Sequence, residues 1–278
     1  MPEGDSVRLL ALRLDRSLRG RTLAAADLRV PRLATRDLGG RTILEHATHG
    51  KHLLTRFSGD ATLHSHLRMD GSWTVTRAGR RLPSRLMPDV RVVLRTTEGP
   101  TAWGVLLHDL ELVPTAEEHT LVGHLGPDPL REDWDPDEAV RRLLARPTTP
   151  LVSALLDQTN LAGLGNLWVN ELAFLLGRSP WTPVGEVDVP RLVERAATAL
   201  RHSVQVPGAY QVTTGNSRRG ESHWVAGRAR RPCPRCGTTV RVVAESPGDP
   251  ANRRTWWCPR CQPGPGPEAR LPRADRGA

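Results

Sequence analysis

Gln158-Thr-Asn-Leu-Ala-Gly-Leu-Gly-Asn166 sits between two apolar runs and decides how the C-terminal half is read. The flanking runs, Leu151–Gln158 and Leu167–Leu176, have helical length and composition. Gly163 and Gly165 in the connecting turn allow the backbone to approach a ligand closely. Asn166 then stands at the start of the second helix, where exposed N–H groups form an anion site. The same spacing also suits an ordinary helical corner, so the surrounding chain has to separate the two readings.

Outward from this hairpin, Asp137–Ala145 and Arg191–Ser203 read as further helices, with Pro136, Pro150, Pro180 and Pro190 marking limits. Upstream of Gly126-Pro127-Asp128-Pro129 the period changes. Arg41–Ala47, Lys51–Phe57, Thr62–Leu67, Ser72–Thr76, Val90–Thr96 and Thr101–Leu107 are short β-prone runs broken by Gly50, Ser58-Gly59-Asp60, Asp70-Gly71 and Glu98-Gly99-Pro100. Before them, Val7, Leu10, Leu14 and Leu18 give residues 5–19 a helical apolar stripe, capped by Asp5 and stopped by Gly20. The fold class is α+β: a long N-terminal helix with an antiparallel β-sandwich, then a helical domain. A loop of about 20 residues rich in Gly, Ser and Arg follows, and a loop that long is functional or disordered. The expected divisions are 1–125, 126–222, 223–262 and a disordered tail at 263–278.

Cys233-Pro-Arg-Cys236 and Cys258-Pro-Arg-Cys261 are matched knuckles separated by 21 residues, and they hold all four cysteines. Four thiolates at this spacing satisfy tetrahedral Zn²⁺ and leave no open position, which makes one zinc ion structural rather than catalytic. Val240–Val243 and Thr255–Trp257 are β-prone arms for a zinc-ribbon hairpin, and Arg253 and Arg254 lie where such a hairpin could aim them at phosphate. His46, His49 and His52 recur every three residues and His64 and His66 share a strand face, but the strand period scatters the first three and argues against a second metal site.

The net charge of +9 favours a polyanionic partner. Of 39 basic residues only Lys51 is lysine, and a lone ammonium among guanidinium groups suggests a site needing a compact charge or a titratable amine. No apolar run reaches membrane-spanning length, and Met1–Leu10 lacks the features of a secretory signal. The expected location is the cytoplasm, with the nucleoid.

Taken in order, Pro2-Glu3-Gly4, His49-Gly-Lys-His52, the helix–two-turns–helix segment Leu156–Phe174, Val225-Ala-Gly-Arg228 and the segment Arg253–Gln262 resemble the family of formamidopyrimidine-DNA glycosylase and endonuclease VIII. The resemblance covers nearly the whole chain. It implies a Schiff-base nucleophile at Pro2 once Met1 is removed, a proton donor at Glu3, a phosphate-binding catalytic lysine at Lys51 and a phosphate-gripping arginine at Arg253. It places DNA contacts at Arg68 and Met69, which fill the gap left by an everted base, and at His124 and Asn166. Glu171 matches a structural carboxylate of the motif helix. Two residues depart from the pattern: Ala226 stands where the family usually has tyrosine, and His124 where endonuclease VIII relatives tend to carry arginine. Asp5 and the short 213–222 loop look more like an actinobacterial-type endonuclease VIII than an 8-oxoguanine enzyme.

The implied activity is a bifunctional DNA glycosylase and abasic-site lyase of base excision repair, excising oxidised pyrimidines and cleaving by β,δ-elimination. Its partner is damaged DNA, with no membrane, no small-molecule cofactor and a monomeric chain. The alternatives are an 8-oxoguanine or formamidopyrimidine glycosylase, or a non-catalytic zinc-ribbon DNA-binding protein.

Overall fold

The computed structural model describes residues 2–244 and 253–267. The chain divides into two compact units, Met1–Leu125 and Gly126–Ala278. Among the described residues, no helix is long and apolar enough to cross a membrane.

The first unit begins with helix α1 (Gly4–Leu18), which buries Val7, Leu10, Ala11, Leu14 and Leu18 on one stripe. Its N-cap is Glu3, in extended backbone, not the expected Asp5. The chain is already helical at Gly4, so Asp5 lies inside the first turn, where its carboxylate accepts the Ser6 N–H at 2.8 Å. A negative charge there complements the helix dipole without capping it. Gly20, at φ +81°, turns the chain away in a conformation that glycine adopts without strain.

Eight strands follow: β1 (Leu23–Leu28), β2 (Ile43–His49), β3 (His52–Phe57), β4 (Ala61–His66), β5 (Ser72–Thr76), β6 (Val90–Thr96), β7 (Thr101–Val105) and β8 (Asp109–Val113). They form two antiparallel four-stranded sheets, in the orders β1-β6-β7-β5 and β2-β3-β4-β8. Leu28, Ile43, Phe57, Leu63, Trp73, Leu94 and Leu110 from both sheets share one buried cluster with the apolar stripe of α1. Each fully buried large apolar side chain there stabilises the unit by about 1.5–3 kcal/mol. The strands β1 and β8 were not among the expected runs. Both are recruited by neighbours, β1 against β6 and β8 against β4. The outer face of the second sheet is polar. There the Arg56 guanidinium donates to both oxygens of Glu118 (2.7 and 2.6 Å) and to Glu45, and the Thr62 hydroxyl also donates to Glu118. After β8 comes a short helix, α2 (His119–Val122).

The second unit holds α3 (Pro136–Leu144), α4 (Leu151–Leu156), α5 (Asn166–Leu175) and α6 (Val189–Gln205). Pro136 and Pro190 lie in the first turns of α3 and α6 instead of before them, where a missing N–H costs nothing. Leu143, Leu155, Trp168, Leu172, Val193 and Leu200 share one core. Farther along, β9 (Arg241–Val243) and β10 (Thr255–Trp257) pair antiparallel and carry the knuckles. Of the segment expected to be a disordered tail, residues 263–267 are described, and the Pro265 carbonyl accepts the Ser179 hydroxyl. Residues 268–278 lie outside the described residues, as does Met1.

Candidate functional site

In the first unit, Pro2 is half-buried and leads directly into α1 through the buried Glu3. The Glu3 N–H donates to Ser6 Oγ at 3.1 Å, which fixes the backbone where the chain enters the helix. Lys51 occupies a two-residue turn, Gly50-Lys51, between the paired residues His49 and His52. Gly50 has φ +56°, the positive value that a tight hairpin turn requires at its first central position. A turn this short leaves the lysine little positional freedom.

Below that turn the outer face of the second sheet gathers imidazoles. The register places His52 opposite His66, with His64 on the diagonal. His52 Nδ1 lies 2.7 Å from His64 Nε2, and the His124 ring stands edge-on to His52. Burial, and then the neighbouring imidazoles, pushes His52 down to about 3. Burial, with the Arg68 charge next, pushes His66 down to about 4. His52 and His66 are therefore neutral at physiological pH, within reach of the Lys51 and Arg68 charges. His46 points to the other side of the sheet, onto Asp15 of α1 at 2.8 Å, so the strand period separates the three-residue histidine repeat.

Arg68 and Met69 form the turn after β4. Arg68 has φ +51°, its N–H donates to His66 Nδ1 at 3.1 Å, and its guanidinium binds Asp109. Gly71 closes the turn, since a Cβ there would come within 2.5 Å of the Leu67 carbonyl oxygen. Met69 is 60% exposed, with no role in the core.

In the second unit the α4–α5 turn is stapled by Gln158. Its amide donates to the Leu156 and Leu164 carbonyls at 3.0 and 2.9 Å and accepts the Gly163 N–H at 3.1 Å. Gly163 sits at φ +97°, open to glycine alone without strain. From this turn α5 projects three polar side chains in its first two turns. Asn166 Nδ2 donates to the Arg254 carbonyl at 2.9 Å, and Asn170 Oδ1 accepts the Trp256 N–H at 2.8 Å. These two bonds hold the strand that follows Arg253, which is itself half-buried. The third, Glu171, is fully buried and accepts the Val225 and Ala226 N–H groups (both 2.8 Å), the Trp224 N–H (2.9 Å) and the Thr213 hydroxyl.

Glu171 thereby orders a segment that has no regular secondary structure. Thr213 and Ser222 meet at its neck through an N–H···O bond of 2.8 Å. Inside, Thr214 binds Glu221, and Asn216 binds Thr214, Arg218 and Glu221. The Arg228 guanidinium donates to the Gly220 and Pro232 carbonyls, which ties the loop to the start of the ribbon. Spacing along the chain could not reveal this, because the acceptor lies some 50 residues upstream of its donors.

Among the described residues, one group of three or more metal-capable side chains brings its donor atoms together: Cys233, Cys236, Cys258 and Cys261, within 4.8 Å of one another. The Cys233–Cys261 and Cys236–Cys258 sulfur pairs lie at 3.9 and 3.5 Å. A tetrahedral ion with metal–sulfur bonds of about 2.3 Å spaces its sulfurs roughly 3.8 Å apart, so this cluster can hold a metal ion. Arg235, within the first knuckle, stacks over the Phe174 and Trp224 rings at 4.4 and 5.0 Å.

Comparison with known proteins bears on the whole chain. Residues 1–109 match the formamidopyrimidine-DNA glycosylase N-terminal domain, and residues 125–214 match the H2TH domain of the same enzyme. A probable endonuclease 8 2 of Streptomyces coelicolor is 49% identical over 267 residues, 96% of each chain. A DNA-(apurinic or apyrimidinic site) lyase Nei2 of Mycolicibacterium smegmatis is 43% identical over 94% of this chain and 99% of its own. Among solved structures, a Lactococcus lactis formamidopyrimidine-DNA glycosylase bound non-covalently to DNA containing an abasic site shares the fold. Its TM-score is 0.76 at 23% identity, covering 94% of this chain and all of that one.

Proposed function

The chain belongs to the formamidopyrimidine-DNA glycosylase family, which includes the endonuclease 8 enzymes, and from that premise we propose that it excises oxidised bases from DNA and cleaves the resulting abasic site. Family membership across 96% of the chain carries this reading, and the residues at the N-terminus supply its chemistry.

With Met1 removed, Pro2 carries a free secondary amine. An α-amine titrates near ~7.7–8.0, so a neutral fraction exists at physiological pH, whereas an ordinary lysine near ~10.4 has almost none. The Pro2 nitrogen attacks C1′ of the damaged nucleotide and the glycosidic bond breaks, with its electron pair leaving on the protonated base. The secondary amine loses its proton, and as the C1′–O4′ bond breaks and O4′ takes a proton the sugar ring opens to an iminium that stays cationic. That cation acidifies the C2′ proton, whose loss expels the 3′ phosphate; a second elimination expels the 5′ phosphate. Glu3, adjacent in sequence and buried, is the proton donor to the sugar ring oxygen and the proton carrier between steps. Lys51, beside neutral imidazoles, neutralises a phosphate, and Arg253 grips another near the lesion.

Met69 enters the stack where the base has left, which offsets part of the few kcal/mol needed to extrude it. Arg68, His124 and Asn166 complete the DNA contacts. Asn166 contributes through its backbone N–H and through the strand it holds, since its side-chain amide donates to Arg254. The four cysteines would hold one Zn²⁺, which supplies rigidity to the hairpin and no reaction step. The working division is a catalytic sandwich at 1–125, a helical DNA-binding domain at 126–222 and a ribbon at 223–262, acting on oxidised pyrimidines in the cytoplasm.

Borohydride trapping on DNA with an abasic site tests the mechanism. Lys51 is the only lysine, so Lys51→Ala removes every side-chain primary amine. That variant still forms the reduced adduct, whereas one extra residue ahead of Pro2 abolishes it. An adduct that survives blocking of Pro2 would end this assignment.

A further inference from the structure

The two sheets of the first unit have four edge strands, and three of these bond to something besides their ladder partner. On β1, the Leu23 N–H donates to the Arg41 carbonyl at 2.8 Å. On β2, the Ile43 N–H donates to the Arg21 carbonyl at 2.9 Å, and the His46 N–H to Asp15 of α1 at 2.8 Å. On β8, the Leu110 carbonyl accepts the Arg32 guanidinium. The fourth edge, β5, differs. It pairs with β7 on one side, and among the described residues its backbone makes no hydrogen bond beyond that ladder. In an antiparallel ladder every second residue points its N–H and C=O away from the partner strand. The outer rim of β5 is therefore a row of unpaired donors and acceptors, a template for another strand. Beside that rim, β5 and α1 line a groove of about 460 Å³. Leu10, Leu14, Trp73 and Val75 make its lining apolar, and Arg13 and Arg16 stand exposed on its helix side. Just past the strand, Arg77, Arg80 and Arg81 are exposed as well. Among the described residues none of these arginines forms an ion pair.

We propose that β5 is a docking edge for an extended, acidic segment of another protein, which adds as a further strand and lays apolar side chains into the groove against α1. The rim of free peptide groups selects an extended chain, because an extended backbone offers donors and acceptors alternately at strand spacing. The apolar lining selects the side chains on one face of that chain, since successive side chains of a strand point to opposite faces. The unpaired arginines select its charge. They also work against a second copy of this chain. Two β5 edges meeting would bring Arg13 and Arg16 towards the like charges of their mates, and such juxtaposition is costly. DNA answers the arginines, but its phosphates have no donor for the carbonyl groups of the rim. The proposal uses none of the residues assigned to excision, so it stands or falls apart from that reading.

The probe is a fluorescein-labelled peptide with a short valine–threonine repeat between glutamates. It is titrated onto the full-length, metal-loaded chain and followed by anisotropy and by hydrogen exchange. Binding should slow exchange over Ser72–Thr76 and leave Leu23–Leu28, an edge already bonded, at its original rate. Replacing the glutamates of the peptide by lysine, or methylating its alternate backbone nitrogens, should abolish binding. The double variant Arg13→Glu, Arg16→Glu should weaken it by about tenfold. Both side chains are exposed, and unchanged exchange across the β3–β4 ladder checks that the variant keeps its fold. A peptide that fails to bind, or binds without slowing exchange at 72–76, would overturn the proposal. So would protection of this segment by an abasic-site duplex, which would make it a DNA surface, or by raising the concentration of the chain alone, which would make it a contact between copies.

Discussion

Replacing Glu171 with alanine should open the segment it holds, by an amount that can be worked out in advance. Its Oε1 is the acceptor for the Val225 and Ala226 amides, both buried, and its Oε2 serves Trp224 and Thr213. In Glu171→Ala the two buried amides lose their acceptor, and each unsatisfied donor costs about 1–3 kcal/mol. At 1.4 kcal/mol per factor of ten, that corresponds to roughly 5- to 150-fold faster exchange at each amide. Glu171→Gln grades the effect. Its remaining carbonyl oxygen can still serve residues 225 and 226, while the new NH₂ faces the Trp224 N–H, so acceleration should concentrate at residue 224. Hydrogen exchange read by mass spectrometry over 213–228 resolves both patterns, with the interior of α6 as the internal standard. Wild-type protection at 224–226 in Glu171→Ala would refute the claim that this carboxylate orders the segment.

Three further outcomes are expected. Met69→Ala shortens a side chain that is 60% exposed, so stability should change by less than about 0.5 kcal/mol. Excision of a paired lesion should nevertheless fall by tenfold or more, measured in single turnover, and equal rates would remove Met69 from the extrusion step. For the imidazole group, the folded pKa values of about 3 for His52 and about 4 for His66 lie below the unfolded value near ~6.5. The unfolded chain therefore takes up protons first on acidification. Stability present above pH ~6.5 is lost as the pH falls towards the folded values. His52→Gln should flatten that dependence in urea melts between pH 7 and 4, and parallel curves for the two proteins would contradict it. Finally, Cys258→Ser or a strong chelator should release one metal ion per chain by elemental analysis and abolish DNA binding. Retained binding without metal would show the ribbon to be dispensable.

The features readable from the sequence were those set by local chemistry. Val7, Leu10, Leu14 and Leu18 marked α1 through their spacing, Ser72–Thr76 and Val90–Thr96 matched their strands residue for residue, and the two knuckles announced their cluster. What escaped depends on partners distant in the chain. The strand Leu23–Leu28 is rich in alanine, a weak strand former, and is extended because β6 offers it a hydrogen-bonding edge. The cap went to Glu3 rather than Asp5 because the backbone enters the helix one residue before the side chain that looked suited to cap it. The strand period correctly separated His46 from His52, but no pattern could bring His124 to His52 across 72 positions. The loop after α6 read as either functional or disordered. Its internal bonds are held in place by Glu171 and Arg228, neither of which lies within it.

Arg235 couples the cysteine cluster to an indole. Its guanidinium is fixed by the knuckle on either side and lies against Trp224, which in turn stacks on Phe174 at 5.2 Å. A cation held at an aromatic face perturbs the electronic environment of that ring. Emission from Trp224 thus becomes an optical gauge of metal loading that needs no added dye, read as a difference spectrum against Arg235→Ala.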